Sequence, residues 1–406
     1  MSRLSKLVTQ ILLSVWLLLL PWQTHYVVTT GHNQFTILRL YGYDLIFILL
    51  LCSFIVYWYQ IKLTVNNKIF WLMLTLLILI SCSAYWASDR AVAAYYLLHV
   101  IEACISLGIV LSDVLAKKNI LLILTANGLI QTGFIIWQQF SQQVVANKWL
   151  GMAEQLPDTS GTPVLVTSLG RFLRSFGTLP HPNIAAGVVL ISLCAATILW
   201  LQFAKPKHKL RYTLLISFPI LTLGLLFTFS RAALIAWVFY CIGILISQRF
   251  KNCSVIFSSL AILVIISGLY WPLTQTRLSA QNYVEQISIQ DRWQQLHAAM
   301  PLLLSYWPVG LGVGNYTLNN INGGQPLFLT PILIVIEIGL FGAILYYYLF
   351  GLALAHSKHY LPSLLWLISC ELVSLFDHYF WTIPSLLILW FVVLALNSFD
   401  SSNKLS

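Results

Sequence analysis

Residues 212–246, YTLLISFPILTLGLLFTFSRAALIAWVFYCIGILI, decide how the rest of the chain is read. A single helix of that length would rise roughly 50 Å at about 1.5 Å per residue, well beyond a hydrocarbon core of roughly 30 Å. The polar pair Ser230-Arg231 interrupts the apolar run near its middle. The stretch therefore reads as two membrane spans folded into a hairpin, with that pair at the apex.

Working outward, apolar runs of similar length recur, giving twelve expected spans at about 8–22, 44–61, 69–87, 92–112, 119–140, 184–203, 213–229, 232–248, 254–271, 328–352, 360–376 and 380–396. Composition agrees. Of 406 residues, 59% are apolar and 8% charged, against roughly 25% charged in a soluble domain. So few charges cannot cover a soluble surface, which excludes a secreted domain, a soluble nucleotide-binding enzyme and a peripheral anchor. The first residues, with Arg3 and Lys6 before a Leu-rich run, resemble a signal peptide. Pro21-Trp22-Gln23 offers no small-residue cleavage site, so an uncleaved first span is expected. The seven cysteines form no CxxC or Cys/His cluster, so neither a zinc site nor a disulfide framework is expected.

The net charge of +10 reads as topology rather than nucleic-acid binding. With the N-terminus inside, Arg3, Lys6, Lys62, Lys68, Lys117, Lys118, Lys205, Lys207, Lys209, Arg211, Arg249, Lys251, Lys358 and Lys404 fall on short cytoplasmic segments. Arg39, Arg90, Lys148, Arg171, Arg174, Arg231, Arg277 and Arg292 fall on longer outer ones. Cytoplasmic loops carry the excess of cations, so the N- and C-termini are both expected inside. Eleven of the fourteen inner cations are Lys, while seven of the eight outer ones are Arg. Arg is the better bidentate partner for phosphate, so this bias points to a phosphate-bearing ligand outside. Insertion rules alone would also deplete outer Lys.

The expected fold is an all-α polytopic membrane protein of about twelve transmembrane helices, N-in and C-in. Residues 1–140 hold five spans, 141–183 an outer loop, 184–271 spans six to nine, 272–327 a large outer loop, 328–396 the last three spans and 397–406 a cytoplasmic tail. Within the large loop, Ser288 and Asp291 resemble a capping box. They would open an interfacial helix from Arg292 to Ser305, with Trp293, Leu296 and Met300 on one face.

The candidate site residues follow from charge and position. Arg231 sits at the hairpin apex after Ser230, where a cation needs a partner, a watery cavity or head-group contact. Arg292 stands near the positive end of the expected interfacial helix, where a cation does nothing for the helix, so it is either a ligand contact or a plain solvated arginine. Glu102, Glu337 and Glu371 lie inside spans, where ionisable groups are costly. Glu371, Ser374 and His378 share one helical face rising to the outer rim, with Asp377 on another. That stripe could relay a proton or simply hydrogen-bond neighbouring helices. In Pro180-His181-Pro182-Asn183, Pro suits a first helical turn and Asn a cap, so His181 and Asn183 are structural or functional. The string Pro308-Val309-Gly310-Leu311-Gly312-Val313-Gly314-Asn315 is no nucleotide loop, because no strand precedes it and no Lys-Ser/Thr follows. Its glycines instead permit a tight backbone path.

Taken in order, Gly177-x-x-x-His181-Pro182-Asn183, Phe229-Ser230-Arg231-Ala232, Arg292-Trp293, Pro308-x-Gly310-x-Gly312-x-Gly314-Asn315 and Glu337-x-Gly339-x-x-Gly342 resemble the O-antigen ligase and O-antigen polymerase superfamily, bacterial GT-C-like membrane glycosyltransferases. The resemblance spans about residues 170–395; the first five spans match only in topology. It implies transfer of a glycan from a polyprenyl-diphosphate carrier to a hydroxyl of a glycan or lipid acceptor, at the outer face of the cytoplasmic membrane, with no metal, cofactor or nucleic acid. Arg231 and Arg292, with Ser230, would hold the diphosphate. His378, Asp377 or His181 would act on the acceptor, supported by Glu337, Glu371, Asn183 and Gly312. One departure stands out: the family's His-Asn pair, nine residues before the Glu of Glu-x-Gly, is Phe328-Leu329 here. Two other readings remain open: a transporter or flippase of lipid-linked sugars, and a non-catalytic family member in envelope assembly. Membrane lipids are partners in all three. The oligomeric state is not legible.

Overall fold

The computed structural model describes residues 2–61, 67–205, 208–279, 283–319 and 324–398. The expected inner cations Lys62, Lys207 and Lys404, and the tail after Ser398, lie outside the described residues. The chain is an all-α multi-pass membrane protein. Its first helices are α1 (Ser2–Leu19), α2 (Gly42–Ile61), α3 (Asn67–Tyr85), α4 (Arg90–Leu111) and α5 (Lys117–Ser141). Then come α6 (Pro182–Ile198), α7 (Lys209–Phe227), α8 (Arg231–Ser247), α9 (Ser254–Leu269), α10 (Trp271–Ser279) and α11 (Tyr283–Tyr306). The chain continues with α12 (Tyr316–Asn319), α13 (Thr330–Ser357), α14 (Leu361–Ser374), α15 (Tyr379–Thr382) and α16 (Pro384–Ser398).

Every expected span has a helical counterpart, but they differ in reach. Among the described residues, seven helices are long and apolar enough to cross a membrane, and an eighth crossing results if α9 and α10, bent by 95° at their junction, count as one. α8, α14 and α16 are apolar but shorter. The expected run 380–396 is divided because Ile383 is extended and Pro384 restarts the helix. Likewise α14 stops at Ser374, before the polar Asp377-His378.

Two connections between helices hold a little sheet. β1 (His25–Thr29) pairs antiparallel with β2 (Leu38–Tyr41), and β3 (Val164–Thr167) with β4 (Gly170–Leu173). The second hairpin lies within the long connection between α5 and α6. The capping-box expectation is corrected: α11 already runs from Tyr283, so Ser288 and Asp291 lie inside it and Arg292 is mid-helix. No Pro or Gly occupies 283–291, so nothing breaks the helix before Ser288.

The centre of the bundle is α6. Its apolar window, continued by a π-helical turn over Leu199–Phe203, is 94% buried. Small residues allow this: Ala185, Ala186, Ala195 and Ala196 are fully buried, and Gly187 faces the Tyr379 ring where a Cβ would fall 2.5 Å from it. One apolar core joins residues from Leu13 to Leu396, with α16 buried against α4 and α13. α6 thus presents its N-terminus, His181-Pro182-Asn183, to the rim where the site forms.

Candidate functional site

Three pieces of chain meet at that rim. The first is the apex between α7 and α8. Phe229 adopts a left-handed backbone conformation, φ +50°, which costs a residue with a Cβ about 1–3 kcal/mol. The turn aims the Phe229 carbonyl at Arg277, whose Nε donates to it at 3.0 Å. Arg231 Nη1 donates in return to the Arg277 carbonyl at 3.3 Å. The apex and the end of α10 are thereby clasped by two arginine-to-backbone hydrogen bonds. Ser230 precedes α8 without a side-chain cap bond and is buried.

The second piece is the start of α6. Asn183 was the expected cap, but His181 fills that position: its Nδ1 accepts the Asn183 backbone N–H at 3.1 Å, with Pro182 in the first turn. Proline removes one donor and imidazole satisfies another, which releases the Asn183 side chain. Its Oδ1 accepts from Arg174, and its Nδ2 donates to Asp377 Oδ2 at 2.7 Å. Arg174 itself is buried and donates from Nε to the Thr228 carbonyl at 3.0 Å. Burial, then Arg174, His378 and Arg277, hold the His181 imidazole down at a pKa of about 3. His181 is a neutral cap rather than a proton carrier.

The third piece is 376–378. The expected Glu371, Ser374, His378 stripe is broken, since α14 ends at Ser374 and His378 sits beyond it, at the start of α15. Glu371 accepts from the Tyr347 hydroxyl at 3.1 Å, a helix–helix bond between α14 and α13. Asp377 is oriented on both oxygens: Oδ1 accepts the His378 N–H at 3.0 Å and Oδ2 the Asn183 amide. The His378 ring contacts Thr382 Oγ1 through Nδ1 at 2.6 Å and packs edge-on to Phe35. The same Thr382 hydroxyl also lies 3.2 Å from the His378 carbonyl. Burial lowers the His378 pKa, Asp377 raises it and Arg292 lowers it further, the net shift being downward.

Together these pieces enclose a cavity of about 260 Å³ lined by Asn183, Ser230, Arg231, Arg277, Arg292 and Asp377, with Ala232, Ile235, Ile289 and Phe376 as its apolar part. Three guanidiniums face one carboxylate, a formal +2, and the N-terminus of α8 adds its partial positive charge. Such a lining can attract a multiply charged anion and sets a carboxylate beside it. A larger cavity of about 460 Å³ near Ile130, Phe134 and Trp137 has no charged lining and offers no comparable chemistry.

Of the residues singled out from sequence, Ser230, Arg231, Arg292, Asn183 and Asp377 converge on the cavity, and His181 and His378 are placed beside it. Phe328 lies under the Arg292 guanidinium, 5.4 Å from carbon to ring centre. Nearby Thr330 Oγ1 donates to the Asp377 carbonyl at 2.9 Å.

Glu337 and Gly312 belong to a separate structure. α13 is broken at Gly339, φ +73° and ψ 170°, and the Gly-rich string packs main chain to main chain into the break. Leu311 N donates to Ile336 O (2.8 Å), Gly312 N to Glu337 O (3.0 Å) and Leu340 N to Trp307 O (2.7 Å). A Cβ on Gly310 would fall 2.3 Å from the Glu337 carbonyl oxygen. The Glu337 side chain accepts from Trp381 Nε1 at 2.7 Å and Tyr316 N at 3.4 Å. Glu337 therefore holds this joint together.

Arg277 and Arg174 were visible in sequence only as members of the outer Arg excess. The signal for Arg277 is its place one short helix after the Trp271-Pro272 bend, which no local pattern connects to the apex. No protein-family model matches this chain, and no curated protein matches it either.

Proposed function

We propose that the protein is an O-antigen ligase/polymerase-like glycosyltransferase that moves a glycan from a polyprenyl-diphosphate carrier to an acceptor hydroxyl at the outer face of the cytoplasmic membrane. In this reading the twelve apolar segments are N-in and C-in, as the Lys/Arg asymmetry favours. The observation that carries it is the convergence of Arg231, Arg277 and Arg292 with Asp377 on one cavity at the rim of the bundle.

The arginines neutralise the diphosphate, whose charge grows as it leaves, and a preorganised cation set is worth most there. The acceptor oxygen attacks the anomeric carbon, its proton passes to Asp377, and the bond from that carbon to the phosphate oxygen breaks with its electron pair going to the carrier. Configuration inverts. Asn183 and the His378 N–H orient the Asp377 carboxylate for this step. The absence of the family imidazole at Phe328 favours a non-catalytic member; against it, Asp377 lines the same cavity as Arg292, whose guanidinium lies over the Phe328 ring, and supplies a proton acceptor there.

A test separates ligand class from activity. Purified protein in lipid nanodiscs should bind a polyprenyl diphosphate at least about tenfold more tightly than the monophosphate, roughly 1.4 kcal/mol. Equal affinity for the two would remove the diphosphate reading.

A further inference from the structure

A second group of ionisable side chains lies away from this cavity. Asp44, in the first turn of α2, meets His99 and Glu102 of α4. One ligand atom from each lies within 4.8 Å of the others, and His99 Nε2 is 3.8 Å from Asp44 Oδ1. His99 and Glu102 are spaced i, i+3 and so share a helical face. Both are more than nine-tenths buried, at 5% and 7% exposure.

The hydrogen-bond directions make this arrangement informative. His99 Nδ1 contacts the Tyr95 carbonyl at 2.9 Å. A carbonyl only accepts, so Nδ1 carries the proton and Nε2 presents a lone pair. Asp44 Oδ2 is taken by the Tyr41 N–H at 2.7 Å. Asp44 Oδ1 and Glu102 Oε1 are buried and have no hydrogen-bond partner among the described residues. Three acceptors thus converge inside an apolar bundle, where unpaired carboxylates are expensive, with the Trp16 indole beside Glu102 as a neighbouring donor.

We propose that Asp44, His99 and Glu102 bind a divalent transition-metal ion of the zinc class, which ties the start of α2 to the middle of α4. One imidazole and two carboxylates match the donors that zinc accepts in tetrahedral sites, and the ion's charge balances the two carboxylates. The backbone bonds to His99 and Asp44 are the outer contacts that fix a ligand's tautomer and orientation. Calcium and magnesium, which take six or more oxygens, fit this set poorly.

The test uses the full-length protein in detergent, carrying a tag without histidines and stripped with a chelator. Added Zn²⁺ should bind at about one ion per chain by elemental analysis and raise the melting temperature, as any ligand of the native state must. Glu102→Gln, which keeps side-chain volume, and His99→Ala should weaken binding by about tenfold or more and abolish the thermal shift. Wild-type protein that neither retains nor is stabilised by Zn²⁺ overturns the proposal, and the carboxyl groups are then protonated instead. Binding that survives both substitutions overturns it equally. The wild-type arm needs no variant, so a misfolded mutant leaves the test decisive.

Discussion

Arginine and lysine carry the same charge, but only arginine offers a planar fork of donors to two phosphate oxygens. Arg231→Lys and Arg292→Lys should therefore each lower carrier binding by about tenfold or more, roughly 1.4 kcal/mol, measured at equal amounts of folded protein. Wild-type affinity in both would remove the clamp. Asp377→Asn keeps the size and the Asn183 contact but cannot take a proton, so it should abolish transfer while leaving carrier binding within about twofold. His378 lies beside the cavity, and its N–H braces Asp377; its ring substitution should slow turnover less than Asp377→Asn does. If His378→Ala is silent in binding yet as inactive as Asp377→Asn, the proton acceptor has been assigned to the wrong residue. At this scale the sequence was a good guide to identity and a poor one to role. Arg231, Arg292 and Asp377 announced themselves as charges beside apolar spans. That Asn183 would bridge Arg174 and Asp377 depended on His181 taking over the cap, which no spacing reveals.

Elements bring these residues together through two joints, each with its own test. The first is the start of α6. The neutral His181 cap has its folded pKa depressed below the ordinary 6.5, to about 3, so the unfolded chain binds the extra proton in that window. Its contribution to stability is present above pH 6.5 and is lost as pH falls toward 3. His181→Asn, another good cap, should flatten the decline in melting temperature across that range. An unchanged slope would show that the imidazole is not held neutral. The second joint is the break in α13. Gly339 combines φ +73° with the Pro308 carbonyl oxygen 2.7 Å from any Cβ. Gly339→Ala should cost about 1–3 kcal/mol or more. Gly351→Ala, where nothing lies within 4 Å of the added carbon, should be neutral or slightly stabilising. Equal melting temperatures for the two variants would mean that the joint is not tight. Helices were legible from apolar run lengths, and the apex at Ser230-Arg231 was too. The 95° bend between α9 and α10, the break at Gly339 and the Gly-string lock were not, because each is settled by long-range backbone contacts.

For the whole molecule, apolar composition already required a bundle in a membrane, and the Lys/Arg asymmetry leads to the expectation that both termini lie inside. Single cysteines at Ser160 and Ser279, both exposed, in a cysteine-free background should label with an impermeant maleimide in intact cells. Protection at both would reverse the sidedness and place the arginine cavity inside. The activity is the central claim, and one measurement addresses it most directly. Purified protein incubated with a polyprenyl-diphosphate oligosaccharide and an acceptor glycan should release free polyprenyl diphosphate in step with formation of an inverted glycosidic bond, with neither formed by Asp377→Asn. Tight binding of the carrier with no release, across acceptors of both the lipid and the polymer kind, would contradict the glycosyltransferase reading and leave a protein that recognises the carrier without cleaving it.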